Sequence, residues 1–273
     1  MFPDVQFDQE DHPVVKMMKD FDYRQGKVFL PGGQAILEVP QGYYYLNQDD
    51  AAKVLMEIWD NPDGESLGMI FPAAGLPTDP ASWGIVLTWD PAGYVSDEDA
   101  NTIDFGDLLQ GMREDTADEN NWRAEQGFPK ITLVGWAEEP SYDKATRKLH
   151  WAKELNFEGS EANTLNYNLR ALGRKGVLQL NFVAGISQLE EIKSALPEVA
   201  QMTAFAEGAR YADFDPSVDK VAAYGIGGLI AGKVLAKTGF LALALVFLKK
   251  FWIVLLLPLA WLWRKIAGKG NAA

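Results

Sequence analysis

The residues best suited to chemistry lie around His150, in the stretch YDKATRKLHWAKEL at 142–155. An imidazole beside a carboxylate can act as a general acid or base, because its ordinary pKa lies near neutral pH. Glu154 shares a strand face with His150, but at ordinary strand rise the two are about 13 Å apart, too far for a direct hydrogen bond. We therefore predict a structural or surface role for His150, with a catalytic or ligand-binding role as the alternative.

Other sequence motifs of enzymes and cofactor sites are missing. The chain has no cysteine and no G-x-G-x-x-G, P-loop or H-E-x-x-H pattern. The only other histidine, His12, is distant in sequence, and the acids of 97–126 do not follow the calcium-loop pattern. We expect no cofactor and no metal. A carboxylate pair for glycoside hydrolysis stays open, because 38 acidic residues offer many pairs.

Charge divides the chain into two parts. Residues 1–220 hold 18 basic and 38 acidic residues, whereas residues 221–273 hold seven basic residues and no acid. Nucleic-acid binding needs clustered lysine and arginine, so a domain this acidic is not expected to bind nucleic acid.

The C-terminal segment, residues 221–273, has the composition of a membrane anchor. Residues 239–263 are apolar apart from Lys249 and Lys250, and a membrane-spanning helix needs about 20 such residues. We predict one tilted span with a preceding interfacial helix; a hairpin of two spans is the alternative. The residues predicted at the membrane interface are Trp252, Trp261, Trp263, Lys249, Lys250, Arg264 and Lys265. The spacing of Gly228 and Gly232 predicts close helix packing in the membrane, with flexibility as the alternative.

Periodicity upstream of this segment predicts an α+β domain. Alternating apolar residues with turns at 31–33, 141–148 and 173–176 predict hairpins, including an antiparallel meander of about four strands over 131–184. Helical spacing follows at 47–60, at 97–126 and over 186–211. The predicted organisation is an extended arm at 1–23, a globular domain at 24–212 with helices packed on its sheet, an acidic linker at 213–220 and the anchor.

Three stretches together resemble a family of uncharacterised bacterial membrane-anchored proteins, known as domain of unknown function 2167. They are GWAEEPSYDKATRKLHWAKEL at 135–155, NYNLRALGRKGVLQLNFVA at 166–184 and AAYGIGGLIAGKVLAK at 222–237. The resemblance implies a globular domain outside the cytoplasm, held by C-terminal hydrophobic helices. It implies no activity and no catalytic residue.

The functional expectation is a non-enzymatic module that scaffolds or modulates an assembly of the bacterial inner membrane. Its expected partners are the lipid bilayer and either a second copy of the chain or another membrane protein. An envelope hydrolase that uses carboxylates with His150 is the alternative. The basic tail after residue 263 favours a cytoplasmic C-terminus and a periplasmic domain. The polar residues 1–25, which lack a signal-peptide core, favour the reverse orientation.

Overall fold

The computed structural model describes residues 13–232, apart from residues 60, 62, 80 and 126. Its helices are α1 (Pro13–Lys19), α2 (Gln48–Lys53, continued by a π-helical turn at Val54–Ile58), α3 (Phe105–Glu125), α4 (Leu189–Met202) and α5 (Ile226–Ala231). Its strands are β1 (Gly26–Phe29), β2 (Ala35–Val39), β3 (Tyr43–Leu46), β4 (Gly68–Pro72), β5 (Gly84–Asp90), β6 (Ile131–Asp143), β7 (Lys148–Phe157), β8 (Thr164–Leu172), β9 (Val177–Gly185) and β10 (Thr203–Phe205).

Two antiparallel sheets organise these elements. The large sheet has the order β3-β4-β5-β9-β8-β7-β6, and the small sheet has the order β1-β2-β10. Strands β6 to β9 are sequential hairpins, so the predicted meander is confirmed. The β8–β9 turn approaches β5 closely at Gly176, where a side chain would lie 2.2 Å from the backbone oxygen of Asp90.

One face of the large sheet, which we call the α4 face, packs against α4 and the small sheet. Tyr167 and Leu169 of β8 share this apolar core with Leu37 of β2 and with Ile192 and Val199 of α4. Each of these side chains is almost completely buried, and burial of a large apolar side chain contributes about 1.5–3 kcal/mol. The α+β architecture with helices packed on a sheet is therefore confirmed.

The opposite face is covered at two ends by different elements. At the β3–β5 end, α1 and α2 bury Met18 and Val54 against the sheet. At the β7–β9 end, α5 buries Ile226, Leu229 and Ile230 beside Trp151. The strip between these two apolar clusters carries polar side chains, which form the site described below.

Several predicted boundaries differ from those observed. The extended arm predicted for 1–23 is replaced over Pro13–Lys19 by α1, because Val15 and Met18 bury apolar surface. The helix predicted over 186–211 ends at Met202, because Thr203–Phe205 pairs with the edge of β2 and gains ladder hydrogen bonds.

Residues 213–232 are held against the domain, so the predicted linker at 213–220 is not a free one. Asp219 is ion-paired with Arg174, Val221 forms a bridge with Tyr94, and α5 packs on the domain. Within the described residues, no helix has both the length and the apolar character needed to cross a membrane. The predicted span at 239–263 lies outside those residues.

Candidate functional site

His150 lies on β7, on the α4 face of the large sheet. Its Nδ1 is 3.1 Å from the hydroxyl oxygen of Tyr167, and the two rings are nearly parallel with centroids 6.2 Å apart. Burial lowers the pKa of His150 below its ordinary 6.5, against an opposing effect of the Glu138 carboxylate. The neutral imidazole is therefore the favoured form at neutral pH.

The carboxylates near His150 are engaged with other groups. Glu138 accepts an ion pair from Lys193 of α4 at 2.7 Å, and this contact raises the pKa of Lys193. Glu154 accepts a hydrogen bond from the side-chain amide of Asn163. The strand spacing predicted only that Glu154 lies too far from His150 for a direct hydrogen bond. Ser141 is the cross-strand partner of His150, although no hydrogen bond joins the two in the described structure. These contacts give His150 the surroundings of a packed side chain at the border of the core.

Gly228 and Gly232 occupy the end of the described chain. Gly228 lies within α5, where a side chain would come 2.6 Å from Cβ of Tyr224. Gly232 follows the helix in the left-handed conformation (φ 70°), a common way for a helix to end. The described helix therefore ends between the two glycines, and their packing in a membrane stays a prediction. The predicted interface residues 249, 250, 252, 261 and 263–265 lie outside the described residues.

A carboxylate holds the start of α5 to the domain. Asp99 accepts hydrogen bonds from the backbone N–H groups of Ile226 (2.9 Å) and Gly227 (3.0 Å). A side chain at Gly225 would come within 2.6 Å of this carboxylate, so glycine permits the close approach. Two otherwise unpaired helix N–H groups are satisfied in this way, and α5 is fixed in position.

The feature that sequence reasoning missed is a row of polar side chains on the opposite face of the sheet. We call it the polar patch. Its members are Thr88 of β5, Lys153 of β7, Asn166, Asn168 and Arg170 of β8, and Gln179 and Asn181 of β9. The strand register places Lys153 beside Asn166, Asn168 beside Asn181, and Arg170 beside Gln179. Directly opposed residues of antiparallel strands point to the same face, so these side chains meet.

The centre of the polar patch is enclosed. Asn168 and Arg170 are each 2% exposed, and Gln179 and Asn181 are 4% and 5% exposed. Thr88, Lys153 and Asn166 are partly exposed, so the patch reaches the surface at its edges. Protein interiors rarely hold this many polar side chains together.

Hydrogen bonds connect one part of the patch. Arg170 donates through Nη2 to Oδ1 of Asn168 at 2.9 Å, and Asn168 donates to Oδ1 of Asn166 at 2.7 Å. Thr88 donates to Oε1 of Gln179 at 3.3 Å. The guanidinium of Arg170 also lies 5.1 Å from the ring centroid of Trp151, a cation–π contact that borders the patch.

Other polar atoms here are buried without a partner among the described residues. The donors are Nε of Arg170, Nε2 of Gln179, Nδ2 of Asn181 and Nε1 of Trp151; the single acceptor is Oδ1 of Asn181. A buried donor without a partner costs about 1–3 kcal/mol. The arrangement therefore has a capacity for hydrogen bonding that the described side chains do not use.

The polar patch is also positively charged. Burial, followed by the nearby charge of Arg170, lowers the pKa of Lys153 to about 8, against an opposing effect of Glu119. Burial likewise lowers the pKa of Arg170, against an opposing effect of Asp90. Asp90 itself accepts from the hydroxyl of Tyr224 at 2.7 Å. The sequence did contain a sign of the polar patch, since polar residues alternate with apolar ones in both NYNLR and QLN. The same alternation is typical of a solvated sheet face, so it does not identify an enclosed patch.

Comparison with known proteins places the chain in a family. The sequence matches the family described as "Protein of unknown function (DUF2167)" over residues 22–260. The chain belongs to this family. Among solved structures it is similar to the solution structure of cyanobacterial PsbP (CyanoP) from Synechocystis sp. PCC 6803, at 12% sequence identity and a TM-score of 0.34. That similarity covers 68% of this chain and 92% of the other. No curated protein matches the sequence.

Proposed function

We propose that this DUF2167 protein is a membrane-anchored module of the bacterial inner membrane that scaffolds or modulates an assembly without catalysing a reaction. The supporting observation is that α5 is docked on the domain, while the apolar sequence 239–263 follows closely in the chain. A docked helix fixes where the polypeptide leaves the domain. The domain would then be held at a set position near the bilayer, unlike a domain on a flexible linker.

Contacts upstream of α5 support the same proposal. Asp219 accepts from Nε of Arg174 at 2.6 Å and from the backbone N–H of Asp215 at 2.8 Å. The backbone of Tyr94 exchanges hydrogen bonds with Lys220 and Ala222, both at 2.8 Å. Residues 215–231 are thus tied to the domain at three successive points. A scaffold needs such a fixed geometry in order to present one surface to a membrane partner.

Crosslinking and affinity purification of the full-length protein in its membrane would test this function. We expect recovery of a defined partner, which is either a second copy or another membrane protein. Leu229→Asp should reduce this crosslinking while leaving membrane association intact, because a carboxylate at this buried position would undock α5 without altering 239–263. Val218→Asp is the matched control, since it introduces the same charge at a side chain that is 73% exposed. Monomeric protein without a crosslinked partner would contradict the proposal.

The proposed orientation is a periplasmic domain and a cytoplasmic tail. Arg264, Lys265 and Lys269 follow the apolar run without an intervening acid, and cytoplasmic flanks carry an excess of basic residues. Protease added to cells with a permeabilised outer membrane should digest the domain and spare a tag placed after Ala273. Protection of the domain together with loss of the tag would show the reverse orientation.

An envelope hydrolase is the second candidate, favoured by the cross-strand pairing of Ser141 with His150 near Glu138. A serine activated by this histidine would react with a fluorophosphonate probe, because its hydroxyl would be a stronger nucleophile. The hydrolase predicts labelling that Ser141→Ala and His150→Ala abolish and that Ser160→Ala leaves unchanged. The scaffold predicts no specific labelling of Ser141.

A further inference from the structure

The polar patch has more hydrogen-bond donors than acceptors available for a ligand. Four buried donors and one buried acceptor lack partners among the described side chains there and on Trp151. Folding around so many unused donors is unfavourable unless another group accepts from them. The excess of donors indicates that this group is rich in acceptor oxygens.

The charge of the polar patch indicates that the ligand is an anion. In the described structure, Lys153 and Arg170 form no ion pair within 4.0 Å, although the domain as a whole is strongly acidic. The acids that influence them, Glu119 and Asp90, act at longer range. A buried guanidinium and a partly exposed ammonium beside it, without a carboxylate partner, would be stabilised by a bound negative charge.

We propose that the polar patch is a binding site for a phosphate group, with Arg170, Lys153 and Asn181 as its main contacts. A phosphate has several acceptor oxygens and, as a monoester, carries close to two negative charges near pH 7, which match the two cations and the spare donors. A carboxylate has two oxygens and one charge, and would leave more of the donors without a partner. This inference is independent of the scaffold function proposed above.

The partly exposed side chains indicate how the ligand enters. Lys153 and Asn166 lie at the β7 edge of the patch and Thr88 at its β5 edge, while Arg170 lies between them and is enclosed. The phosphate would pass Lys153 and reach the guanidinium of Arg170. Its source is a small soluble phosphomonoester or the monoester headgroup of phosphatidic acid, and these two sources can be distinguished experimentally.

The test uses the full-length protein in a phosphate-free, uncharged detergent. Inorganic phosphate, glycerol 3-phosphate and bicelles containing phosphatidic acid are titrated separately and followed by calorimetry and thermal unfolding. We expect at least one probe to bind and to raise the Tm. Binding of the soluble phosphates would identify a small ligand, whereas binding of the bicelles alone would identify a lipid headgroup.

Two variants test the assignment to these residues. Arg170→Met should weaken binding at least tenfold, whereas Arg210→Met, which removes the same charge from an exposed position, should bind like the wild type. Asn181→Leu should also weaken binding at least tenfold. It should raise the Tm of the unliganded protein by about 2–4 °C, because an amide without a partner is replaced by an apolar side chain.

The inference would be overturned by any of three results. The first is that none of the three probes binds the folded wild-type protein. The second is an equal loss of affinity in Arg170→Met and Arg210→Met, which would show a general effect of charge. The third is a lower Tm and unchanged affinity in Asn181→Leu, which would show that the amide has a structural role. Because Asn181→Leu is expected to fold, the test does not depend on the stability of Arg170→Met.

Discussion

Replacing Asp99 with alanine should loosen α5 without unfolding the domain. The carboxylate accepts two backbone N–H groups at the start of the helix, and loss of such a cap costs about 0.5–2 kcal/mol. Hydrogen bonds to a charged acceptor lie at the upper end of the usual range, but Asp99 is partly exposed. We therefore expect the free energy that holds α5 on the domain to fall by about 1.5 kcal/mol.

The apolar contacts of α5 should survive this change. Ile226, Leu229 and Ile230 are 1%, 4% and 2% exposed, and each contributes about 1.5–3 kcal/mol through burial. Their sum is several times larger than the loss of the cap, so the helix should stay docked and open more often. A change of about 1.4 kcal/mol corresponds to a tenfold change in the opening equilibrium.

Hydrogen exchange measures this opening directly. The N–H groups of Leu229 and Gly232 donate to the carbonyls of Gly225 and Gly228 within α5, and their exchange should become about tenfold faster. Amides of β8 should exchange as in the wild type, and Glu98→Gln, which neutralises an exposed carboxylate, should show no change. Unchanged exchange in α5 would show that Asp99 does not hold it. Equal acceleration in β8 would show that α5 opens only with the whole domain.

Three further predictions concern stability. Gly111→Ala in α3 should raise the free energy of unfolding by about 0.5–1 kcal/mol, because no other atom occupies the space of the new methyl group. Gly228→Ala should lower the free energy of unfolding, because its methyl group would collide with Tyr224. Urea unfolding measures both changes. His150 has a lowered pKa in the folded state, so the free energy of unfolding should fall as pH falls below 6.5. The His150→Gln variant should lose less stability over the same pH range. Equal slopes of stability against pH in the two proteins would refute this prediction. Lys153 also has a lowered pKa, so stability should rise with pH between about 8 and 10.5 in the wild type but not in Lys153→Met.

Local sequence determined most of the strands and turns. The hairpin of β8 and β9 follows from strict alternation on both sides of a turn that begins at Gly173 and ends at Gly176, and the structure contains it. The same reasoning placed His150 and Glu154 too far apart to interact. Such features depend on residues close in the chain, so periodicity and turn chemistry suffice to predict them.

Where some helices and strands begin and end depended on the tertiary structure. Thr203–Phe205 reads as the end of a helix, yet it forms a strand because β2 offers a free edge beside it. Residues 226–231 read as the start of a membrane anchor, yet they pack beside Trp151 because the sheet offers an apolar surface there. In both cases the stabilising partner is distant in sequence, so the local pattern does not reveal it.

The polar patch shows the same limit for the candidate site. The alternation of Asn166, Asn168 and Arg170 determined that these side chains share one face of a strand. The same alternation is typical of an exposed sheet surface, so it does not reveal that this face is enclosed. Only the tertiary structure places Asn168 and Arg170 beside Asn181 and encloses all three. The period of a strand determines which residues lie together, whereas their burial depends on the distant elements that cover them.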